Sequence, residues 1–443
     1  MKLNVLKLSL LARPRTYEGA PAVILTPDQA LRRSVLACML WENEFYESGE
    51  TIAARIRELV PRVAPETVAA LAVEARTTMK LRHAPLLLVR EMARYATHRA
   101  LVAETLVRVV QRADELTEFL AIYWADGRTP LSAQVKKGLA AAFTGFDEYA
   151  LAKYDRAASV KLRDVLFLTH ARPRDTAQAG LWKRLASGKL RTPDTWEVAL
   201  SSGGDKRAHW ERLLVEGRLG ALALLRNLRN MKDAGVSEDY IAAALDTMRT
   251  DRVLPFRFLA AARHAPQWEP SLERAMFRSL EGAPKLAGRT VLLVDVSGSM
   301  VAPLSARSTM LRTDAAYGLA VLLSEVAERV TVYTFSNAAV RVAPRRGFAL
   351  RDAMEHSQAH SGTMLGASLD QVALDLVQAP YDRIVVITDE QSHDRVGAPR
   401  GHGYMINIAS ARNGVGYDEW THIDGFSEAV IDYIRELERT RLN

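Results

Sequence analysis

The sequence of 443 residues contains a single cysteine, Cys38, so neither an internal disulfide nor a multi-cysteine metal cluster can form. No run approaches the roughly 20 uncharged apolar residues that a membrane-spanning helix requires. Aromatic residues make up only 7% of the chain, which excludes the aromatic-rich stacking sheets of single-strand-binding proteins. These absences predict a cytoplasmic protein without a membrane anchor.

The common catalytic motifs are also missing. The chain has no G-x-x-x-x-G-K-[ST] phosphate loop, no H-E-x-x-H zinc helix and no G-x-S-x-G nucleophile elbow. The sequence therefore favours a binding protein over an enzyme.

Charge is distributed unevenly along the chain. Residues 286–443 contain 15 arginines, no lysine and 19 acidic residues, a net charge of −4 within an overall net charge of +7. The preceding 285 residues therefore carry a net charge of +11, which indicates a polyanionic partner for that part of the chain.

Residues 26 to about 280 have the pattern of consecutive helices. Helix-start signals such as Thr26-Pro27, Ala64-Pro65 and Ser237-Glu238 each precede apolar residues at helical spacing. About a dozen helices in this region fit antiparallel pairs stacked as an irregular solenoid, although no clean sequence repeat is present.

The pattern changes after the Gly/Pro-bearing segment 282–288. The apolar run 290–294 predicts a strand buried on both faces, and strands at 330–335, 384–387 and 404–408 alternate with helices, including one at 363–377. Alternating strands and helices predict an open, doubly wound α/β sheet. Its ligand site should lie at the carboxyl ends of the strands.

Oxygen-bearing side chains follow two of these strands. Asp295, Ser297 and Ser299 come directly after the first strand, Asp389 follows the strand at 384–387, and Thr363 begins a helix. Carboxylate and hydroxyl oxygens suit a hard divalent cation such as Mg²⁺. The five residues resemble the metal-ion-dependent adhesion site of von Willebrand factor A domains. That resemblance implies Mg²⁺ or another divalent cation, contacted by the hydroxyls, with one coordination position open to a partner's oxygen.

The helical region resembles the TROVE module. The resemblance is carried by Asp164–Pro173, Ala223–Arg229 and Gln134–Leu139, with Ala152-Lys153-Tyr154 downstream. A TROVE module followed by a von Willebrand A domain is the architecture of the Ro autoantigen family and its bacterial members. The resemblance implies two domains: residues 1–285 as a HEAT-like helical-repeat ring, and residues 286–443 as the A domain that bridges its ends.

In that family, single-stranded 3′ ends of misfolded non-coding RNA enter the central opening, and structured Y RNAs bind the basic outer surface. The resemblance therefore implies a Y-like RNA partner, a role in RNA quality control and a 3′ exoribonuclease as a further partner. Basic side chains are crowded between residues 136 and 174, which also suits phosphate binding. The residues assigned to RNA are Lys136, Lys137, Lys153, Arg156, His170 and Arg172, whereas Asp155 and Ala157 are less basic than the family pattern.

Two other functions stay open. One is a protein–protein interaction scaffold, in which the metal site docks a partner and the helices bind peptides without RNA. The other is a metal-dependent nuclease, which would need further carboxylates, such as Glu390 and Asp394, around the cation, and a base such as His393.

Overall fold

The structure, a computed structural model, describes residues 25–37, 49–78, 81–155, 159–201, 203–250, 253, 255–283, 285–304, 310–409, 414–416 and 419–424, with single residues between 430 and 438. Contacts divide the described chain into two compact units at residue 202. We call residues 26–37 and 49–201 the helical unit, and the described residues from 203 onward the sheet unit. The residue Cys38 lies outside the described residues.

The helical unit consists of short helices that pack against their neighbours in sequence and against the next but one. Their bounds are α1 Pro27–Ala37, α2 Gly49–Leu59, α3 Pro65–Thr77, α4 His83–Arg94, α5 Val102–Val109, α6 Ala113–Tyr123, α7 Ala133–Phe143, α8 Glu148–Tyr154, α9 Leu162–Thr169, α10 Thr176–Ala186 and α11 Trp196–Ser201. One apolar core runs through the unit from Leu31 to Leu185.

Local sequence explains where these helices begin and how closely they pack. Asp147 and Asp175 are N-caps of α8 and α10, since each carboxylate accepts a backbone N–H bond of 2.7 Å from the first turn. Glycine allows the close crossing of α5 and α7: a Cβ on Gly138 would lie 2.9 Å from backbone atoms of Ala103. The glycine in the Lys136-Lys137-Gly138 segment therefore serves packing, while the lysines lie at the surface.

The sheet unit begins with helices and continues into a sheet. Its helices are α12 Lys206–Val215, α13 Ala221–Asp233, α14 Glu238–Thr247, α15 Pro255–His264, α16 Glu269–Leu280, α17 Arg312–Val326, α18 Gly347–Glu355 and α19 Leu365–Asp375. Its strands are β1 Leu286–Asp295, β2 Ala327–Phe335, β3 Ala339–Arg341, β4 Arg383–Thr388, β5 His402–Asn407 and β6 Thr421–Asp424.

The described residues form a six-stranded mixed sheet in the order β3-β2-β1-β4-β5-β6. Every neighbouring pair is parallel except β2 and β3, which are antiparallel. The predicted α/β alternation is confirmed in this coarser form. The prediction omitted β3, β6 and α18, which are too short and too polar to give a clear apolar period.

Helix α17 lies between the sheet and the last helices before it. Every residue from Arg312 to Leu323 is buried, because α17 packs against β1 on one side and against α15 on the other. Arg263 of α15 donates a 2.7 Å hydrogen bond to Asp314, whose carboxylate also accepts from the Leu311 N–H at 2.7 Å. Helices α12–α16 thus belong to the same compact unit as the sheet, and the predicted domain boundary at residue 285 stays a prediction.

Strand β1 lies at the point where the strand order reverses. It pairs with β2 on one side and with β4 on the other. In open α/β sheets, ligands bind in the crevice outside the carboxyl ends of the strands at this point. The topology therefore brings the loops after β1 and β4 to one edge.

Candidate metal centre and nucleic-acid interface

Asp295 ends β1 with a fully buried and fully hydrogen-bonded carboxylate. Its Oδ1 accepts the Ser297 N–H at 2.8 Å, and its Oδ2 accepts the Thr388 hydroxyl at 2.6 Å. The first bond turns the chain tightly after the strand. It thereby places the two serines of the Asp295-x-Ser297-x-Ser299 motif at the sheet edge.

Asp389 approaches the same motif from β4. The Ser299 hydroxyl donates to Asp389 Oδ2 at 2.8 Å, and the Ser297 and Ser299 hydroxyl oxygens are 3.4 Å apart. The structure therefore links four of the five predicted metal ligands, from the ends of two parallel strands, in one hydrogen-bonded group.

Thr363 lies on a third loop that is held against the other two by backbone contacts. Gly298 N–H donates to the Ser361 carbonyl at 2.8 Å, which joins this loop to the one after β1. His393 N–H donates to the Thr363 carbonyl at 2.8 Å, and Thr363 N–H donates to His393 Nδ1 at 3.1 Å. His393 therefore organises the loop, since its Nδ1 accepts a backbone bond.

Arg312, the first residue of α17, enters this group and was not predicted. Its guanidinium donates to Asp389 Oδ2 and to the Ser299 carbonyl, each at 3.3 Å, and its side chain is almost fully buried. Burial, and after it the negative charge of Asp389, raises the pKa of Asp295. Asp295 and Asp389 thus lie in one hydrogen-bonded group, in which Arg312 contacts Asp389. A divalent cation bound there would compete with Arg312 for Asp389.

The two further carboxylates that a nuclease would need are engaged elsewhere. Asp394 accepts the Gly366 and Ala367 N–H groups at 2.9 and 2.7 Å and so caps α19. The Glu390 carboxylate lies 2.8 Å from His422 Nδ1. Among the described residues, no group of three or more His, Cys, Asp or Glu side chains could hold a metal ion. At the sheet edge the structure thus groups two carboxylates with serine hydroxyls.

Lys136, Lys137, Lys153 and His170 lie on, or at the end of, three consecutive helices of the helical unit, and Arg172 lies in the segment after α9. Lys136 and Lys137 are on α7, Lys153 is in the last turn of α8, and His170 ends α9 with a left-handed φ of 52°. Helix α9 packs against α7, which brings the segments near Lys136 and His170 into one region. Arg156 lies outside the described residues.

Four basic side chains in this region lack a carboxylate partner among the described residues. No ion pair joins Lys136, Lys137, Lys153 or Arg172 to a carboxylate within the part of the chain that the structure describes. Their neighbours differ in this respect, because Arg163 and Arg174 each lie within 4 Å of the aspartate that follows them in sequence. Cations without a carboxylate partner are free to release counterions from a phosphate backbone.

Exposed aromatic rings accompany these cations, which the sequence prediction missed. Phe167 and Tyr149 are 61% and 51% exposed on α9 and α8. The Lys153 ammonium lies 6.0 Å from the Tyr149 ring centroid and 5.7 Å from that of Tyr154. The helical period of α9 could have predicted the exposure of Phe167. The buried residues of the helix are Leu162, Val165, Leu166 and Thr169, so Phe167 lies on the outer face.

Residues 166–281 match the TROVE domain family. This segment is therefore similar to a TROVE domain. Over 91 residues, 18% of the chain, it is 38% identical to telomerase protein component 1 of Mus musculus, and over 95 residues it is 37% identical to that of Rattus norvegicus. These segments cover 4% and 3% of the two relatives, so the chain spans only a small part of their length.

Among solved structures, the chain is similar to the Ro (RSR) protein of Deinococcus radiodurans. The TM-score is 0.60 at 19% sequence identity, and the match covers 91% of this chain and 97% of the other. The two proteins therefore share a fold. The predicted relationship to the Ro family is confirmed by the fold together with the TROVE match. The described part of the chain contains no helix long and apolar enough to cross a membrane.

Proposed function

We propose that this protein is an RNA-binding scaffold of the Ro type that acts in RNA quality control in the cytoplasm. Single-stranded 3′ ends of misfolded RNA would occupy the opening of a Ro-type helical ring, and structured Y-like RNA would bind the basic face of α7–α9. The observation that carries the proposal is the group of unpaired cations, Lys136, Lys137, Lys153 and Arg172, beside exposed aromatic rings. A 3′ exoribonuclease would supply the chemistry of decay, and the protein itself none.

Phosphate contacts and ring stacking together explain why this surface suits RNA. Lysine and arginine release counterions from phosphates without regard to sequence. Exposed rings such as Phe167 and Tyr149 can stack on unpaired bases of loops and ends.

The first test compares two RNAs across a salt series. One is a hairpin with a single-stranded 3′ tail, and the other is the same hairpin with a blunt end. We expect the tailed RNA to bind more tightly, with log affinity falling linearly with log salt. Equal and salt-insensitive binding of the two RNAs, measured by fluorescence anisotropy, would contradict the proposal and favour the interaction scaffold.

We also propose that the sheet edge binds Mg²⁺ or another divalent cation as a von Willebrand A-type adhesion site. Ser297, Ser299 and Thr363 would hold the cation directly, and Asp295 and Asp389 would act largely through water. Hydroxyl and carboxylate oxygens within one hydrogen-bonded group support this assignment. The cation would offer a partner protein's carboxylate a binding position.

Thermal unfolding tests the metal proposal. Millimolar Mg²⁺ should raise the melting temperature of the wild type, because a ligand that binds only the folded state stabilises it. The Ser297→Ala/Ser299→Ala variant should lose this shift. The matched Ser187→Ala/Ser201→Ala variant, with exposed serines of the helical unit, should keep it. An equal Mg²⁺ shift in both variants would exclude the site.

A further inference from the structure

A basic cavity lies in the sheet unit, away from the metal ligands and from the predicted RNA-binding lysines. It has a volume of about 460 Å³ and is formed mainly by α13 and α15, with Met310 from the segment before α17. This volume is within the ~300–1,000 Å³ typical of small-molecule sites. Neither the TROVE match nor the predicted sites assign it a ligand.

Arginines form one side of the cavity. Arg226 and Arg229 are three residues apart on α13 and so project from the same side of the helix. Both are exposed, and neither pairs with a carboxylate among the residues that the structure describes. The planar guanidinium fork matches the oxygens of a phosphate better than a lysine does.

Arg257 of α15 faces these arginines from the other helix. Its side chain is partly exposed to solvent. Desolvation by the surrounding residues, and after it the positive charge of Arg226, lowers the pKa of Arg257. The cavity between α13 and α15 therefore presents three guanidinium groups to an anion.

Apolar side chains complete the wall. Leu222 is 46% exposed beside the arginines, and Leu225, Ala260 and Met310 also line the space. An inorganic anion would leave this surface wet, whereas a ligand with a phosphate and a flat apolar body would cover both sides. His264 and Asn230 add hydrogen-bonding groups at the margin.

We propose that this cavity binds one nucleoside monophosphate unit, with its phosphate against Arg226 and Arg229 and its base against Leu222 and Leu225. The unit is either a free mononucleotide or the phosphorylated end of an RNA chain. The second source rests on the proposed function, and the first does not.

Isothermal titration calorimetry of the 443-residue protein tests this proposal. The ligands are AMP, adenosine, inorganic phosphate, and short oligonucleotides with or without a terminal phosphate. AMP should bind at least tenfold more tightly than adenosine. Tight binding of the phosphorylated oligonucleotide without binding of AMP would assign the site to RNA ends. If no phosphate compound binds more tightly than its unphosphorylated counterpart, or if only an acidic peptide binds, the proposal is wrong.

Variants locate the binding. Arg226→Gln/Arg229→Gln should weaken AMP or the phosphorylated oligonucleotide at least tenfold, and Arg226→Lys/Arg229→Lys should lose part of that affinity, because charge remains while the fork is lost. Lys206→Gln/Lys232→Gln removes the same charge from exposed positions outside the cavity and should bind as the wild type does. Equal affinity of the two glutamine variants would overturn the assignment. AMP binding that survives in a protein unable to bind the tailed hairpin would separate the cavity from the proposed RNA function.

Discussion

Asp389→Ala should destabilise the sheet unit by about 3–5 kcal/mol, the cost typical of removing one partner from a buried ion pair. The substitution takes away the carboxylate that Arg312 contacts at 3.3 Å, at a position where both side chains are almost fully buried. It also removes the acceptor of the Ser299 hydroxyl. The Arg312 guanidinium would then remain buried without the negative charge of Asp389.

Hydrogen exchange of the β1 and β4 amides is the suitable measurement, because it reports the opening of the sheet unit separately from the helical unit. Asp370→Ala is the matched control: Asp370 is an exposed aspartate on α19, and its loss should change stability by less than about 0.5 kcal/mol. If both variants exchange alike, the Arg312–Asp389 contact contributes nothing. A double-mutant cycle with Arg312→Met isolates the coupling between the two side chains.

The sequence could predict that the proposed metal ligands meet at one sheet edge because strand ends and short motifs are local features. Asp295 and Asp389 follow buried apolar runs, and parallel strands must end at the same sheet edge. Arg312 could not be found in this way. Its approach to Asp389 depends on how α17 packs over β1, a tertiary arrangement that no spacing near Arg312 encodes.

The same difference between local features and tertiary contacts decides which parts of the fold the sequence could predict. Helices with a clear apolar period and a start signal, such as those opened by Pro65 and Pro255, were predictable from local chemistry. The grouping of α12–α16 with the sheet was not, because it rests on long-range pairs such as Arg263–Asp314 and Arg351–Glu269. A change of sequence pattern marks where strands begin, but contacts decide which elements form one compact unit.

Replacing Lys136, Lys137 and Lys153 together by glutamine should weaken binding of the tailed hairpin on the order of a hundredfold at 0.1 M salt. Each lysine that contacts a phosphate contributes roughly 0.7–0.9 to the slope of log affinity against log salt. Loss of three such contacts should make the slope shallower by about 2–3, with the two proteins converging near 1 M salt. Fluorescence anisotropy between 0.05 and 0.5 M salt measures both quantities.

A second triple variant with the same net charge tests whether the position of the lysines or the total charge of the chain determines RNA binding. Lys189→Gln/Lys206→Gln/Lys232→Gln removes three exposed lysines that lie outside α7–α9. It should keep nearly the wild-type slope, because only lysines in contact with phosphates release counterions on binding. Equal loss of slope in the two triple variants would mean that RNA follows the overall positive charge of the chain, and the assignment of the interface to α7–α9 would fail. Loss confined to the first variant, with unchanged melting temperature, places the phosphates on that face.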